Sequence, residues 1–294
     1  MRKKKTRITV LDIAIALILL GAGVYVFYRI RVGLNYHWNW GVIPQYLFRY
    51  DEEKHRWVMN LLMEGLKTTL ALSVWSILFA TIVGSIMGMF RVSSSLFKRL
   101  IGRTYVELIR NIPPLVLVFI FYFFLSDQIM PVLGVDDFIR SRSERFQEIL
   151  AFFSTRPELF STFLSAVITI GLFEGAYITE IVRGGIQSIE RGQWEASYAL
   201  GLSWWQQMRH VVLPQAVQRI LPPMAGEFIN TIKNSSIVSV ISIQELTFQG
   251  MELMAASLLT FEVWLTIAGM YLVVCLLLSL AVARLEVHMR RSLA

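Results

Sequence analysis

The chain has 294 residues, of which 55% are hydrophobic and 17% charged, and its formal net charge is +7 at pH 7. An ordinary soluble domain is nearer ~25% charged, so the deficit and the long apolar runs place the chain among membrane proteins. The basic excess does not point to nucleic acid, because it lies in short blocks beside apolar runs, which is how membrane orientation is written.

In chain order, apolar runs predict about six spans, at 8–28, 65–90, 112–126, 160–183, 222–243 and 261–283. The first follows Arg2, Lys3, Lys4, Lys5 and Arg7 and imitates a signal peptide. No small-x-small cleavage site follows it, so residues 1–30 are read as a retained anchor helix. The third is short and begins as early as Tyr105. The expected class is an all-α integral membrane protein. Lys and Arg crowd the segments that share a side with the N-terminus, which predicts both termini in the cytoplasm.

Residues 31–64 form an outside segment rich in aromatics, with Tyr36, Trp38 and Trp40. Residues 65–290 form the transmembrane domain, with an outside insert at 127–160 and a cytoplasmic loop at 184–215. The insert predicts a small amphipathic helix carrying Phe146, Ile149, Leu150 and Phe153 on one face. Cys275 is the single cysteine and lies in an apolar run, where it reads as a small buried hydrophobe. No His or Cys pair has metal-ligand spacing.

The chain carries no sign of its own chemistry. None of its lysines follows a glycine, so there is no P-loop, and neither H-E-x-x-H nor G-x-S-x-G occurs. No catalytic residue is expected, and no cofactor on this chain.

The loop sequence EASYALGLSWWQQMRHVVLP, Glu195 to Pro214, is too polar to span and too apolar to lie bare in water. Gly201 suits a left-handed helix end. Ser203 with Gln206 three positions on forms a capping box for a second helix, which Pro214 is expected to end. Such a surface docks into a partner's groove or lies on lipid.

Polar residues also fall inside spans. Glu227, Asn230, Thr231 and Asn234 share one face of the fifth, with Lys233 roughly 120° away at ~100° per residue. Glu174 lies near the middle of the fourth, with Tyr177 on its face. Such residues avoid lipid and mark interfaces or pathways. Glu174, Tyr177, Glu227, Asn230, Lys233 and Asn234 are therefore candidates for a substrate path. Glu180 with Arg183, and Glu107 with Arg110, have i,i+3 spacing and read as structural ion pairs. Pro113 and Pro114 suit a bend in the third span.

The motif Glu195-Ala196-Ser197, three residues, Gly201, nine residues, then Val211-Val212-Leu213-Pro214 resembles the EAA loop of type I ABC importer permeases. ELIRNIPPLVLVFIFYF, GAYITEIVRGGIQSIERGQWEASYALGLS and LPPMAGEFINTIKNSSIVSVI are similar to segments of its polar-amino-acid branch, the histidine, glutamine, glutamate and arginine type. The likeness covers about Gly65 to Arg284, and Ser197 and Val211 are mild departures from Ala and Ile. It implies that Glu195, Ala196, Ser197, Gly201, Ser203, Trp204, Leu213 and Pro214 belong to a coupling helix seated on an ABC ATPase dimer. ATP and Mg would then bind the partner. It also implies a soluble binding protein outside, a second permease copy or relative, an amino acid substrate, surrounding lipid and a bacterial inner-membrane address. An ion-coupled secondary transporter using Glu174 and Glu180, and a membrane scaffold without a path, are the rival readings.

Overall fold

The computed structural model describes residues 10–33, 36–53 and 55–291. The basic cluster Arg2 to Arg7 and Lys54 lie outside the described residues. The chain divides into two compact units, 1–40 and 41–294.

In the first unit, α1 runs from Val10 to Gly33. Tyr36 meets Trp38 edge to face at 5.1 Å, and Trp38 stacks on Trp40 at 5.9 Å.

The second unit opens with a short helix α2 (Ile43–Leu47) and an antiparallel hairpin of β1 (Phe48–Asp51) and β2 (Arg56–Met59). The helices that follow are α3 (Leu61–Arg91), α4 (Leu96–Asn111) and α5 (Pro114–Phe123). A π-helical turn at Phe124–Ile129 leads into α6 (Met130–Leu133), α7 (Val135–Arg140) and α8 (Glu144–Phe153). Then come α9 (Phe160–Gln187), α10 (Arg191–Ala199), α11 (Trp204–Gln207) and α12 (Leu213–Asn234). A 3-10 stretch at Ser235–Ile241 precedes α13 (Leu246–Ser257) and α14 (Thr260–Arg291).

Among the described residues, five helical runs are long and apolar enough to cross a membrane: Val10–Arg29, Leu61–Arg91, Pro114–Leu133, Pro157–Gln187 and Thr260–Arg284. The expected span at 222–243 is not among them. Its residues belong to α12 and the 3-10 stretch, and Pro222, Pro223 and the Glu227–Asn234 face make α12 less apolar than the others. Pro113 and Pro114 do not bend a span either. They separate α4 from α5, with Pro114 as the first residue of α5, where its missing N–H costs no helical bond.

The centre of the bundle is a close seam between α3 and α9, which run parallel. A Cβ on Gly84 would sit 2.6 Å from Ile178, and one on Gly88 would sit 2.6 Å from Val182. Small residues let two backbones approach where hydrocarbon gives helices no other reason to associate. Two of the buried hydroxyls bond within their own helices: Ser73 donates to Thr69 O at 2.7 Å and Thr179 to Gly175 O at 2.7 Å. α12 returns antiparallel along α9, with Ile220 filling the space at Gly185. Leu72, Val118, Phe163, Ile170, Val238 and Ile241 close the other end.

Candidate functional site

The loop that follows α9 is a rigid junction between two helices. α10 ends in a Schellman motif. Gly201 sits at φ +74°, its N–H donates to Tyr198 O at 2.9 Å, and Leu202 N–H donates to Ser197 O at 3.3 Å. Two residues later the next helix is capped reciprocally. Gln206 N–H donates to Ser203 Oγ at 3.4 Å, and Ser203 N–H donates to Gln206 Oε1 at 2.9 Å. Gln207 then donates to Leu202 O at 2.8 Å across the break.

One side of this junction is fastened and the other is bare. Met208, Val212 and Ala216 are buried against Ile178, Val182 and Ile186 of α9. Ser197 is buried too, and its hydroxyl donates to Trp194 O at 2.9 Å, so serine fits there as alanine would. Tyr198 and Leu200 are 77% and 79% exposed, and Trp204 and Trp205 are exposed beside them. Glu195 and Ala196 are exposed, with Glu195 paired to Arg191 at 2.8 Å.

Pro214 does not end the second helix. Residues 208–212 wind as a π-turn, Leu213 N–H donates to Met208 O, and Pro214 falls in the first turn of α12. Pro214 is thus carried within the helical run, directly after the π-turn, although it has no N–H to donate. Leu213 is half-buried and Pro214 exposed. α11, the π-turn and α12 therefore form one continuous helical run, a rod with Pro222 and Pro223 inside it, from the capped break to Asn234.

At the far end of that rod lies Glu174, fully buried in α9. Asn234 Nδ2 donates to Glu174 Oε1 at 2.9 Å. The Glu227 carboxyl lies within hydrogen-bonding reach of Glu174. Glu174 Oε2 is buried with no amide, hydroxyl or cationic donor. The structure thus brings together Glu174, Glu227 and Asn234 of the six path candidates. Asn230 and Lys233 are exposed, so within one chain the buried acid does not open onto the surface that carries the lysine. Tyr177 is held between Phe173, edge to face at 5.3 Å, and the Arg110 guanidinium, 5.2 Å above its ring.

Of the two expected ion pairs, one forms at its spacing and the other does not. Glu180 binds Arg183 through two nitrogens at 2.6 and 2.8 Å, and its other oxygen lies 3.1 Å from Arg91 of α3. Glu107 does not pair with Arg110. It lies 3.9 Å from Arg103 and accepts from Asn111 at 3.0 Å, while Arg110 is drawn to the face of Tyr177.

Glu245 is absent from the sequence-based candidates, yet it is fully buried and tied into the bundle. It caps α13 by accepting from Phe248 N–H at 2.8 Å. Its other oxygen accepts from Tyr271 Oη at 2.8 Å and Thr69 Oγ1 at 3.3 Å. An acid directly before an apolar run was the available signal.

Comparison with known proteins agrees with this architecture. Residues 80–291 match the family described as "Binding-protein-dependent transport system inner membrane component". The glutamine transport system permease protein GlnP of Escherichia coli (strain K12) is 36% identical over 230 residues, 78% of this chain and 93% of that protein. The glutamate/aspartate import permease protein GltJ of the same organism is 31% identical over 79% of this chain and 88% of that protein. A crystal structure of an amino acid ABC transporter with histidines superposes with a TM-score of 0.61 at 28% identity, covering 78% of this chain and 94% of that one. The inward-facing MetNI methionine ABC transporter shares the fold, with a TM-score of 0.59 at 18% identity and coverage of 77% and 94%. The chain therefore belongs to the family of inner membrane components of binding-protein-dependent transport systems, the permease subunits of ABC importers.

Proposed function

We propose that this permease carries polar amino acids into the cell, and that residues 195–214 are the element through which an ATPase dimer drives it. The capped break that exposes Tyr198, Leu200, Trp204 and Trp205 carries the coupling part of this reading. A groove on a partner would cover these side chains, and the rod from Ser203 to Asn234 would pass the partner's motion to Glu174. A partner biases a conformation only through contacts that differ between its two states, and a stiff lever turns such contacts into helix motion. ATP and Mg belong to that partner, whose P-loop supplies what this chain lacks.

The amino acid class rests on the printed names of relatives such as GlnP and GltJ. A soluble binding protein would deliver substrate outside. A second permease copy or relative would complete the path beside α12, with Asn230 and Lys233 facing it. Both termini would lie in the cytoplasm.

The test is co-purification of the detergent-solubilised chain from its native membrane. A P-loop ATPase is expected with the wild type and is lost with Glu195→Ala/Gly201→Asp. Equal recovery of the ATPase with both would refute the assignment of the loop. Uptake of glutamine, glutamate and arginine into proteoliposomes of the complex then tests the substrate class.

A further inference from the structure

We propose that the hairpin, the outer end of α3 and the end of α8 form a binding site for one anionic phospholipid. The site is two joined clefts of opposite character. The first, about 510 Å³, is lined by Arg56 of β2, Glu64 and Lys67 of α3, and Arg156 after α8. The second, about 400 Å³, continues from Met59 and Lys67, which line both, down the apolar face of α3 through Leu70 and Val74 to Phe153.

The charges of the first cleft do not cancel. Glu64 is taken by Arg156 at 3.2 Å. Lys67 donates to Ala151 O at 2.8 Å and lies 5.7 Å from the centre of the Phe152 ring, so a carbonyl and a ring hold it without neutralising it. Among the described residues, no carboxylate forms an ion pair with Lys67, while Arg56 stands opposite Asp51 across the hairpin. Three cations against one acid in the lining, with Lys67 held by no carboxylate, make a site for a phosphate, whose oxygens suit the guanidinium fork and the ammonium. With its one acid already engaged, the cleft offers little to a positively charged headgroup.

The second cleft decides what carries the phosphate. A free anion or a free amino acid would leave the apolar slot empty. A lipid fills both halves, with its headgroup at Arg56 and Lys67 and a chain lying between α3 and Phe153. α3 is long and apolar enough to cross a membrane, so an apolar slot running along it is open to a lipid chain. Trp57 lines the headgroup cleft, and Trp75, which donates to Phe153 O at 2.9 Å, lines the slot, giving the site aromatic residues of the kind found at the membrane interface.

The test is native mass spectrometry of the purified full chain released from micelles containing equal amounts of phosphatidylglycerol and phosphatidylcholine. The wild type should retain one phosphatidylglycerol in preference. Arg56→Gln, on the exposed hairpin, and Lys67→Met should each lower its occupancy about fivefold while leaving phosphatidylcholine adducts unchanged. Val74→Trp, which fills the slot, should lower it as well. Should Lys67→Met fail to fold, Arg56→Gln and Val74→Trp decide. Equal retention of the two lipids, or undiminished retention in Arg56→Gln and Val74→Trp, overturns the proposal. Displacement by inorganic phosphate would make the cleft a free-anion site. If Arg56→Gln kept its lipid but bound a purified substrate-binding protein more weakly, the cleft would belong to that protein. Either of the last two results also overturns the lipid assignment, and neither touches the family membership or the coupling role.

Discussion

The two ends of the rod that runs from Ser203 to Asn234 obey opposite rules. At the loop end, order comes from neighbours in sequence. A left-handed glycine, a reciprocal cap and a π-turn fix the backbone within about three turns, and large apolar side chains stay outside. At the Glu174 end, order comes from residues far apart, since Asn234 reaches across 60 positions to a fully buried acid. The first arrangement is fixed locally and leaves an apolar face exposed. The second is enclosed, and any opening must come from movement of α12 against α9. On the proposed reading, a lever and a latch are built on one helical run.

Breaking the latch should have the largest effect on stability. Asn234→Leu removes the amide from Glu174 and leaves a buried carboxyl oxygen without its donor, at a cost of about 3 kcal/mol. Thermal unfolding of the purified chain reads this, and an unchanged midpoint would mean that the pair contributes nothing. Breaking the lever should cost less and act elsewhere. Gly201→Val forces a branched side chain into φ +74°, at about 2 kcal/mol. It should abolish ATPase binding while the bundle still unfolds near its normal temperature. Ser203→Ala removes half of the capping box, at about 1 kcal/mol. It should lower substrate-stimulated ATP hydrolysis in the assembled complex, and Ser203→Asp, another good cap, should restore it. Glu195→Ala is the sharpest contrast. The Glu195–Arg191 pair is exposed and its loss should change stability by less than about 0.5 kcal/mol. If the residue docks on a partner, binding of the ATPase falls all the same.

This contrast also explains what the sequence made legible. Gly201, Ser203 and Gln206 could be read without a structure, because a Schellman end and a capping box are set by residues within about six positions of one another. Pro214 misled, because the π-turn that absorbs it is not written in any single residue. Glu174 and Asn234 could each be named as costly in a membrane, but not as partners, since that needs the antiparallel approach of α12 to α9. The Glu107–Arg110 spacing was right for a pair, and tertiary structure supplied better partners in Arg103, Asn111 and the Tyr177 ring. Glu245 was overlooked because its three helices meet only in the fold. The family, by contrast, was legible from the motif order alone, and the match over residues 80–291 bears it out.

Residues 195–214 are the proposed contact with an ATPase, and proximity tests that most directly. In a Cys275→Ser background the chain has no cysteine, so Trp204→Cys places a single thiol on the exposed face of the junction. Cross-linking in native membranes with a short thiol-to-amine reagent should join this variant to a P-loop ATPase, while Trp57→Cys on the hairpin should not reach it. An ATPase that co-purifies with the chain but cross-links from Trp57→Cys and never from Trp204→Cys would contradict the account.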